Sequence, residues 1–233
     1  MVLKRLLTLL FFAYIPLLLA QEEKVYFDDA LSQHLRKYNN KSDLAIKNQM
    51  PPHEVDAIFD TLINTHLRST YISDLKLKKV SGGTLYTENI DKPFLLITKN
   101  SAIIQTEEEI KTINAIANEY YGKVDIIILY WNSRDIAKRE ARQYNKNVTV
   151  VYVDERHNNF NKALSALKHS FGVPACFYIN QDKQISDIDR KFFLKNVNTL
   201  TKELFEEKAH RGISELLASQ IDTAQHNTPK NHR

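Results

Sequence analysis

The stretch that decides the fold is Phe171-Gly172-Val173-Pro174-Ala175-Cys176-Phe177-Tyr178-Ile179-Asn180-Gln181-Asp182-Lys183. Gly172 can end a helix, because glycine takes the left-handed conformation of a helix C-terminus at little cost. Cys176 to Ile179 is a short apolar run of the kind that suits a strand covered on both faces. Gln181-Asp182-Lys183 makes a tight polar turn, and Gln184 to Ile188 can return antiparallel to the strand before it. Working toward the N-terminus, Phe94 to Ile97, Ile126 to Tyr130 and Val148 to Val153 are similar apolar runs.

Helical stripes alternate with these strands. Ile110, Ile113, Ile116 and Tyr120 line the first, Ile136, Glu140, Ala141 and Tyr144 a weaker second, and Phe160, Ala163, Leu164, Leu167 and Phe171 the third. Such an order predicts an α/β unit with right-handed crossovers between its parallel strands. A helical region with Leu200, Leu204, Ile213, Leu216 and Leu217 follows, interrupted at Gly212, and Asp222 to Arg233 reads as a frayed tail.

Before this unit, Ile72, Leu75, Leu77 and Val80, then Gly82-Gly83 and Leu85-Tyr86, predict a hairpin. Phe27 to Thr70 is helical in pattern: Leu31, Leu35 and Tyr38 form one stripe, and Val55, Ile58, Phe59 and Leu62 another. Pro51-Pro52 starts the second helix, and Asn39 to Lys47 reads as a polar connection. The expected organisation is a signal peptide over 1–20, a helical extension over 21–70 that serves as a packing appendage, an α/β domain over 71–221 and a tail over 222–233.

With those elements placed, the Gly-Val-Pro segment, its apolar strand and the polar turn resemble the stretch of thioredoxin-like proteins that carries their cis-proline. The resemblance is closest to the secreted TlpA-like and redoxin (AhpC/TSA-type) branch. Pro93 to Lys123, ending in Glu119-Tyr120-Tyr121-Gly122-Lys123, is similar to that family's first strand and helix. The resemblance covers roughly Tyr71 to Leu217. It implies a central mixed sheet flanked by helices, here with an N-terminal helical extension.

Redox-active members carry Trp-Cys-x-x-Cys in the loop after that first strand, whereas this chain reads Lys99-Asn100-Ser101-Ala102-Ile103-Ile104-Gln105-Thr106. The resemblance puts the family's two cysteines near Ile103 and Thr106, neither of which is a thiol. The charges agree, because a reactive thiolate is stabilised by a helix N-terminus and by cations. Here the first turn carries Glu107, Glu108 and Glu109, which would repel it. Thr106 with Glu109 instead has the spacing of a capping box.

Cys176 is the one thiol of the chain. Strand alternation puts it on the face opposite Ala175 and Phe177, where it is expected to pack as a small hydrophobe. The alternative is a monothiol that forms a mixed disulfide with a partner. Val173-Pro174 carries a different expectation from the resemblance: the backbone beside a cis-proline pairs with an extended peptide, so a docking edge could survive without the chemistry. The competing readings are a proline retained for folding, or a groove blocked by the helix Val55 to Leu67.

Tyr120-Tyr121 and Tyr130-Trp131 look exposed, and either cover a core edge or form a partner patch. His157 beside Asp154 and Glu155 lacks a third ligand at useful spacing, and His226 and His232 are isolated, so no metal and no cofactor is expected. Asn147-Val148-Thr149 and Asn40-Lys41-Ser42 match glycosylation acceptors, of consequence only in a eukaryotic source.

Composition bounds the rest. The chain has 233 residues and is 43% apolar, enough for a real core. Net charge is +4, and removal of Lys4 and Arg5 with the leader would bring it to +2, so nucleic acid has no electrostatic support as a partner. One cysteine can neither close an internal disulfide nor build the usual structural zinc sites. Lys4-Arg5, the apolar run Leu6 to Ala20 broken only by Thr8, and polar Gln21-Glu22-Glu23-Lys24 form a secretory signal pattern. The apolar run of about 15 residues falls short of the roughly 20 that span a bilayer, so a membrane partner enters only if the signal is uncleaved. The expected protein is secreted or periplasmic. Its expected task is to dock an envelope or secreted protein near Val173 and Pro174, without dithiol chemistry; the alternative is an oxidoreductase or redoxin acting through Cys176.

Overall fold

Why the apolar runs become strands is visible in their burial: Phe94 to Ile97 and Ile126 to Tyr130 are inaccessible on both faces. In the computed structural model they form the centre of a seven-stranded mixed sheet. The structure describes residues 24–103, 105–154, 156, 162–169, 175–190 and 201–226, with side chains left aside at 162–163, 168–169, 201–205 and 219–226. The leader 1–20, Phe160, Phe171 with Gly172, the Val173-Pro174 bond, Glu155, His157 and the segment 227–233 lie outside the described residues.

The strands are β1 (Lys76–Lys79), β2 (Thr84–Tyr86), β3 (Phe94–Lys99), β4 (Asp125–Tyr130), β5 (Val148–Tyr152), β6 (Ala175–Ile179) and β7 (Ile185–Asp189). Their order across the sheet is β2-β1-β5-β4-β3-β6-β7. β3, β4 and β5 are parallel, whereas β6 runs antiparallel to β3, and β7 antiparallel to β6. This is the mixed sheet of a thioredoxin-like fold, with the predicted hairpin β1–β2 added on the β5 side. The helices are α1 (Phe27–Lys47), α2 (Pro52–Leu62), a π-helical turn Ile63–Leu67, α3 (Glu107–Glu119), α4 (Arg134–Ala141), α5 (Lys162–His169) and α6 (Thr201–His226).

Side-chain alternation divides the core into two clusters, one on each face. Leu95, Ile97, Ile126, Ile128, Cys176 and Tyr178 face α3, α4 and α6. Leu96, Phe94, Ile127, Leu129 and Phe177 face α1, the α2–π segment and α5. The helical segment Phe27 to Leu67 thus furnishes part of the core that covers one face of the sheet: the Phe27 ring meets Phe177 edge-on at 5.5 Å, and Leu62 and Leu67 are fully buried. Main-chain bonds from Ser69 to Ile185, Ile185 to Thr70 and Ile72 to Lys183, at 2.8–2.9 Å, run the same segment along part of the outer edge of β7. That arrangement shields part of an otherwise open edge.

Three sequence expectations change. Asn39 to Lys47 is the second half of α1, not a connection, because small Ser42 and Ala45 continue its buried stripe where Tyr38 ends. The polarity of that stretch belongs to its solvent face. Gly212 does not interrupt the C-terminal helix, which is continuous to His226. A Cβ there would lie 2.4 Å from Tyr178 Cε1, so glycine lets α6 sit directly on the β6 ring. The same helix runs through His226, past the Asp222 at which the tail was expected to begin.

Candidate functional site

The C-terminal ends of β3 and β4 lie side by side, with Lys99 paired to Tyr130. In an open α/β sheet that end is where ligands and chemistry gather. The loop from Asn100 to Thr106 leaves from it. Ser101 N donates to Asn132 Oδ1 (2.9 Å), Asn132 Nδ2 donates to Ser101 Oγ (2.9 Å), and Asn100 Nδ2 donates to the Trp131 carbonyl (3.3 Å). The loop is therefore tied to the turn after β4. Ile103 is half-buried within it, and its N–H closes a turn on the Asn100 carbonyl (3.0 Å).

Thr106 caps α3, its Oγ1 accepting from Glu109 N at 3.2 Å. The other half of the capping box is not made. Glu109 turns its carboxylate inward to the Lys99 ammonium, while Glu107 and Glu108 pair with Lys111 in solvent at 2.8 and 3.3 Å. A buried cation competes better for a carboxylate than a solvated backbone amide does.

Lys99 is 3% exposed and Glu109 11%. Around the pair, Lys99 Nζ donates to Gln105 Oε1 (3.1 Å) and to Tyr144 Oη (3.2 Å). Tyr144 Oη donates to Gln105 Oε1 (2.6 Å), Gln105 Nε2 donates to Tyr130 Oη (2.7 Å), and the two tyrosine hydroxyls are 3.3 Å apart. One assignment of protons satisfies every contact: Tyr130 donates to Tyr144, Tyr144 to Gln105, and Gln105 back to Tyr130. Burial lowers the affinity of Lys99 for its proton, against the attraction of Glu109. Burial also raises Tyr130 and Tyr144, so both hydroxyls stay protonated.

This network lies beside the loop Asn100 to Thr106, in which the resemblance puts a dithiol near Ile103 and Thr106. It holds an ion pair, an amide and two phenols, and no nucleophile open to solvent. Sequence reasoning missed Lys99, Gln105, Glu109, Tyr130 and Tyr144 as a set. The available signal was parity: Leu95, Ile97 and Lys99 share one face of a buried strand, which obliges the lysine to find an anion.

Cys176 lies in β6 opposite Asp189, with no exposed surface. Burial, reinforced by Asp189, pushes its thiol well above the ordinary range. Ala175 and Phe177 face the opposite cluster. Val173 and Pro174 fall outside the described residues, but the residue after them is anchored: Thr98 Oγ1 donates to the Ala175 carbonyl (3.3 Å) and accepts from its N–H (3.2 Å). The helical segment Val55 to Leu67 packs against α1, with His66 stacked on His34 at 3.7 Å, and Phe59 lies 4.0 Å from the Arg190 guanidinium after β7.

Tyr130 and Trp131 are core residues, 0% and 4% exposed, because both end a strand already covered on each face. Tyr120 is half-buried and bonds His210 Nδ1 of α6 (2.7 Å), whereas Tyr121 is 71% exposed. Of the glycosylation motifs, Asn147 donates to Asn118 Oδ1 (2.8 Å) and Ser42 is buried within α1. Among the described residues no group of three metal-ligating side chains converges, and no helix is long and apolar enough to cross a membrane.

Comparison with known proteins adds the fold alone. A hypothetical protein, SMc02350, from Sinorhizobium meliloti 1021 superposes with a TM-score of 0.53 at 11% identity, over 67% of this chain and 87% of that one. An uncharacterized conserved protein from Geobacillus kaustophilus gives 0.50 at 13% identity, over 67% and 85%. A putative thiol:disulfide interchange protein DsbE from Chlorobium tepidum gives 0.48 at 14% identity, over 62% and 96%. No family model and no curated protein matches the chain.

Proposed function

We infer that this thioredoxin-like chain is a protein-binding or accessory module of the secreted or periplasmic space. It docks an extended segment of another envelope or secreted protein beside Val173 and Pro174, and it carries no dithiol cycle. The observation that supports this reading best is the Lys99–Glu109–Gln105–Tyr130–Tyr144 network. A closed set of hydrogen bonds packs against the loop in which a reactive thiol would need an open, electropositive pocket. Thr98 meanwhile fixes the start of β6 by holding both the Ala175 carbonyl and its N–H. Chemistry at Cys176 would require β6 to leave the sheet, since its thiol has no exposed surface.

The test is site-specific photo-crosslinking from position 173 in cells that export the protein, with position 121 as the exposed control. A discrete adduct at 173, lost in the Pro174→Ala variant and absent at 121, is the expected result. Adducts of equal intensity at both positions, or none at 173, would defeat the docking reading. Secretion is tested separately by fractionation and by N-terminal sequencing of the mature chain; a chain retaining Met1 in the cytoplasm contradicts it.

A further inference from the structure

The sheet ends differently on its two sides. The outer edge of β7 is partly covered by the segment Ser69 to Ile72, whereas among the described residues no strand pairs with the outer edge of β2. β2 faces β1 in the register Lys76 to Tyr86, Leu77 to Leu85 and Lys78 to Thr84. Just outside that register, Thr87 N donates to the Leu75 carbonyl (3.0 Å) and Lys79 N to the Gly83 carbonyl (3.1 Å). Bonded and non-bonded pairs alternate along an antiparallel ladder, so Leu77 and Leu85 are the bonded pair between them. Thr84 and Tyr86 therefore turn their N–H and C=O groups away from β1, along an open edge.

The two faces of this edge have opposite character. Leu77 is fully buried, and Leu85 packs against the same core cluster. Lys76, Lys78, Thr84 and Tyr86 share the other face. Both lysines are exposed, and among the described residues neither makes an ion pair. Lys76 leans outward: its Nζ lies 5.6 Å from the centroid of the Tyr86 ring, so the ammonium already stands over β2, and Tyr86 is 38% exposed. The acids of this hairpin, Asp74 and Glu88, both lie past the pair Leu75 and Thr87 at one end of it, and Asp74 acts on Lys183.

Lysines beside a sheet edge ordinarily keep other strands off. They repel a basic strand and leave an apolar one beside unpaired charge, whereas an acidic strand meets attraction in place of that barrier. We propose that β2 takes up an acidic extended peptide as an added antiparallel strand. The peptide residues opposite Thr84 and Tyr86 exchange main-chain hydrogen bonds with them and set acidic side chains on the lysine face. The residue between, opposite Leu85, turns an apolar side chain to the other face. β1, β5, β4 and β3 separate this edge from β6, so the site is independent of the docking proposed at Val173 and Pro174.

The test is an NMR titration of the isotope-labelled mature protein with a capped peptide that alternates glutamate and valine. Two modified peptides locate the main-chain bonds. Methylating the glutamate nitrogens removes the donors that face β2, whereas methylating the valine nitrogens touches only those that face solvent. Saturable movement of the Thr84 and Tyr86 amide signals is expected, with a Kd below about 1 mM, kept by the valine-methylated peptide and weakened about 10-fold with the glutamate-methylated one. Lys76→Gln combined with Lys78→Gln should weaken binding about fivefold, as the loss of two exposed ion pairs would, and unchanged signals outside the hairpin verify the fold. The proposal is overturned by no saturable movement up to about 1 mM peptide, by equal loss with the two methylated peptides, or by indifference to the lysine substitutions. Signals that move beside Val173 and not at β2 would also overturn it, as would a single-stranded oligonucleotide that binds this face as tightly as the peptide.

Discussion

Replacing Lys99 by methionine removes the cation and keeps the stem, so it isolates the ion pair from the packing. Glu109 is then left 11% exposed with its carboxylate unpaired, and Gln105 Oε1 loses one of two donors. Breaking one partner of a buried pair costs about 3–5 kcal/mol, and the residual access of Glu109 to water places this case near the low end, about 3 kcal/mol. For a chain of this size that is a fall in melting temperature of roughly 6–12 °C. The readout is the fluorescence of Trp131, the single tryptophan, which is buried at the same end of the sheet. The informative variant is the double replacement Lys99→Met with Glu109→Leu. Two charges removed together leave no orphan, so stability should return to within about 1 kcal/mol of the parent. If the two single losses simply add in the double variant, the pair is not coupled and the account of the network is wrong.

Gly212→Ala should destabilise by about 1–3 kcal/mol in urea unfolding, despite alanine's better helix propensity, because the new methyl meets the Tyr178 ring at 2.4 Å. Pairing it with Tyr178→Leu should recover part of the loss, and a stabilised single variant would contradict the close approach. Stability should fall as pH rises above the ordinary thiol range, and faster above the ordinary phenol range. Cys176, Tyr130, Tyr144 and Tyr178 are all raised by burial, so the unfolded chain loses those protons first. Lys99 and Lys183, both lowered by burial, act in the opposite sense up to the usual lysine value, but they are two groups against four. Stability flat up to about pH 10 would overturn this balance. Finally, a small disulfide reagent should leave Cys176 untouched until the chain is unfolded, and rapid native labelling would return a monothiol mechanism to first place.

Why part of this was legible and part was not follows from the range of the interactions concerned. Apolar runs of four to six residues separated by helical stripes are local facts, and burial on both faces of the sheet leaves such a run little else to become. The sequence thereby determined the order of strands and helices, the hairpin at Gly82-Gly83, the Thr106 cap and the absence of cysteine from the loop after β3. It also placed Cys176 on the face opposite Phe177, since alternation in a strand admits no other outcome. The extent of α1 was obscured because a buried Ser42 and Ala45 do not look apolar in sequence. Gly212 misled for a related reason: a glycine chosen for closeness to a neighbour reads the same as one chosen to end a helix.

What only the tertiary structure decided depends on pairs distant along the chain. Lys99, Glu109, Tyr130 and Tyr144 come from β3, α3, β4 and the segment after α4. No spacing rule connects them, and the lysine is satisfied only because parallel pairing sets it beside Tyr130 under the first turn of α3. The role of the N-terminal helices in covering a face of the sheet, and the open edge of β2 with its lysine face, likewise exist only once the strands have taken their places in the sheet. Burial forces polar groups to find partners, and which partners they find is a property of the folded sheet.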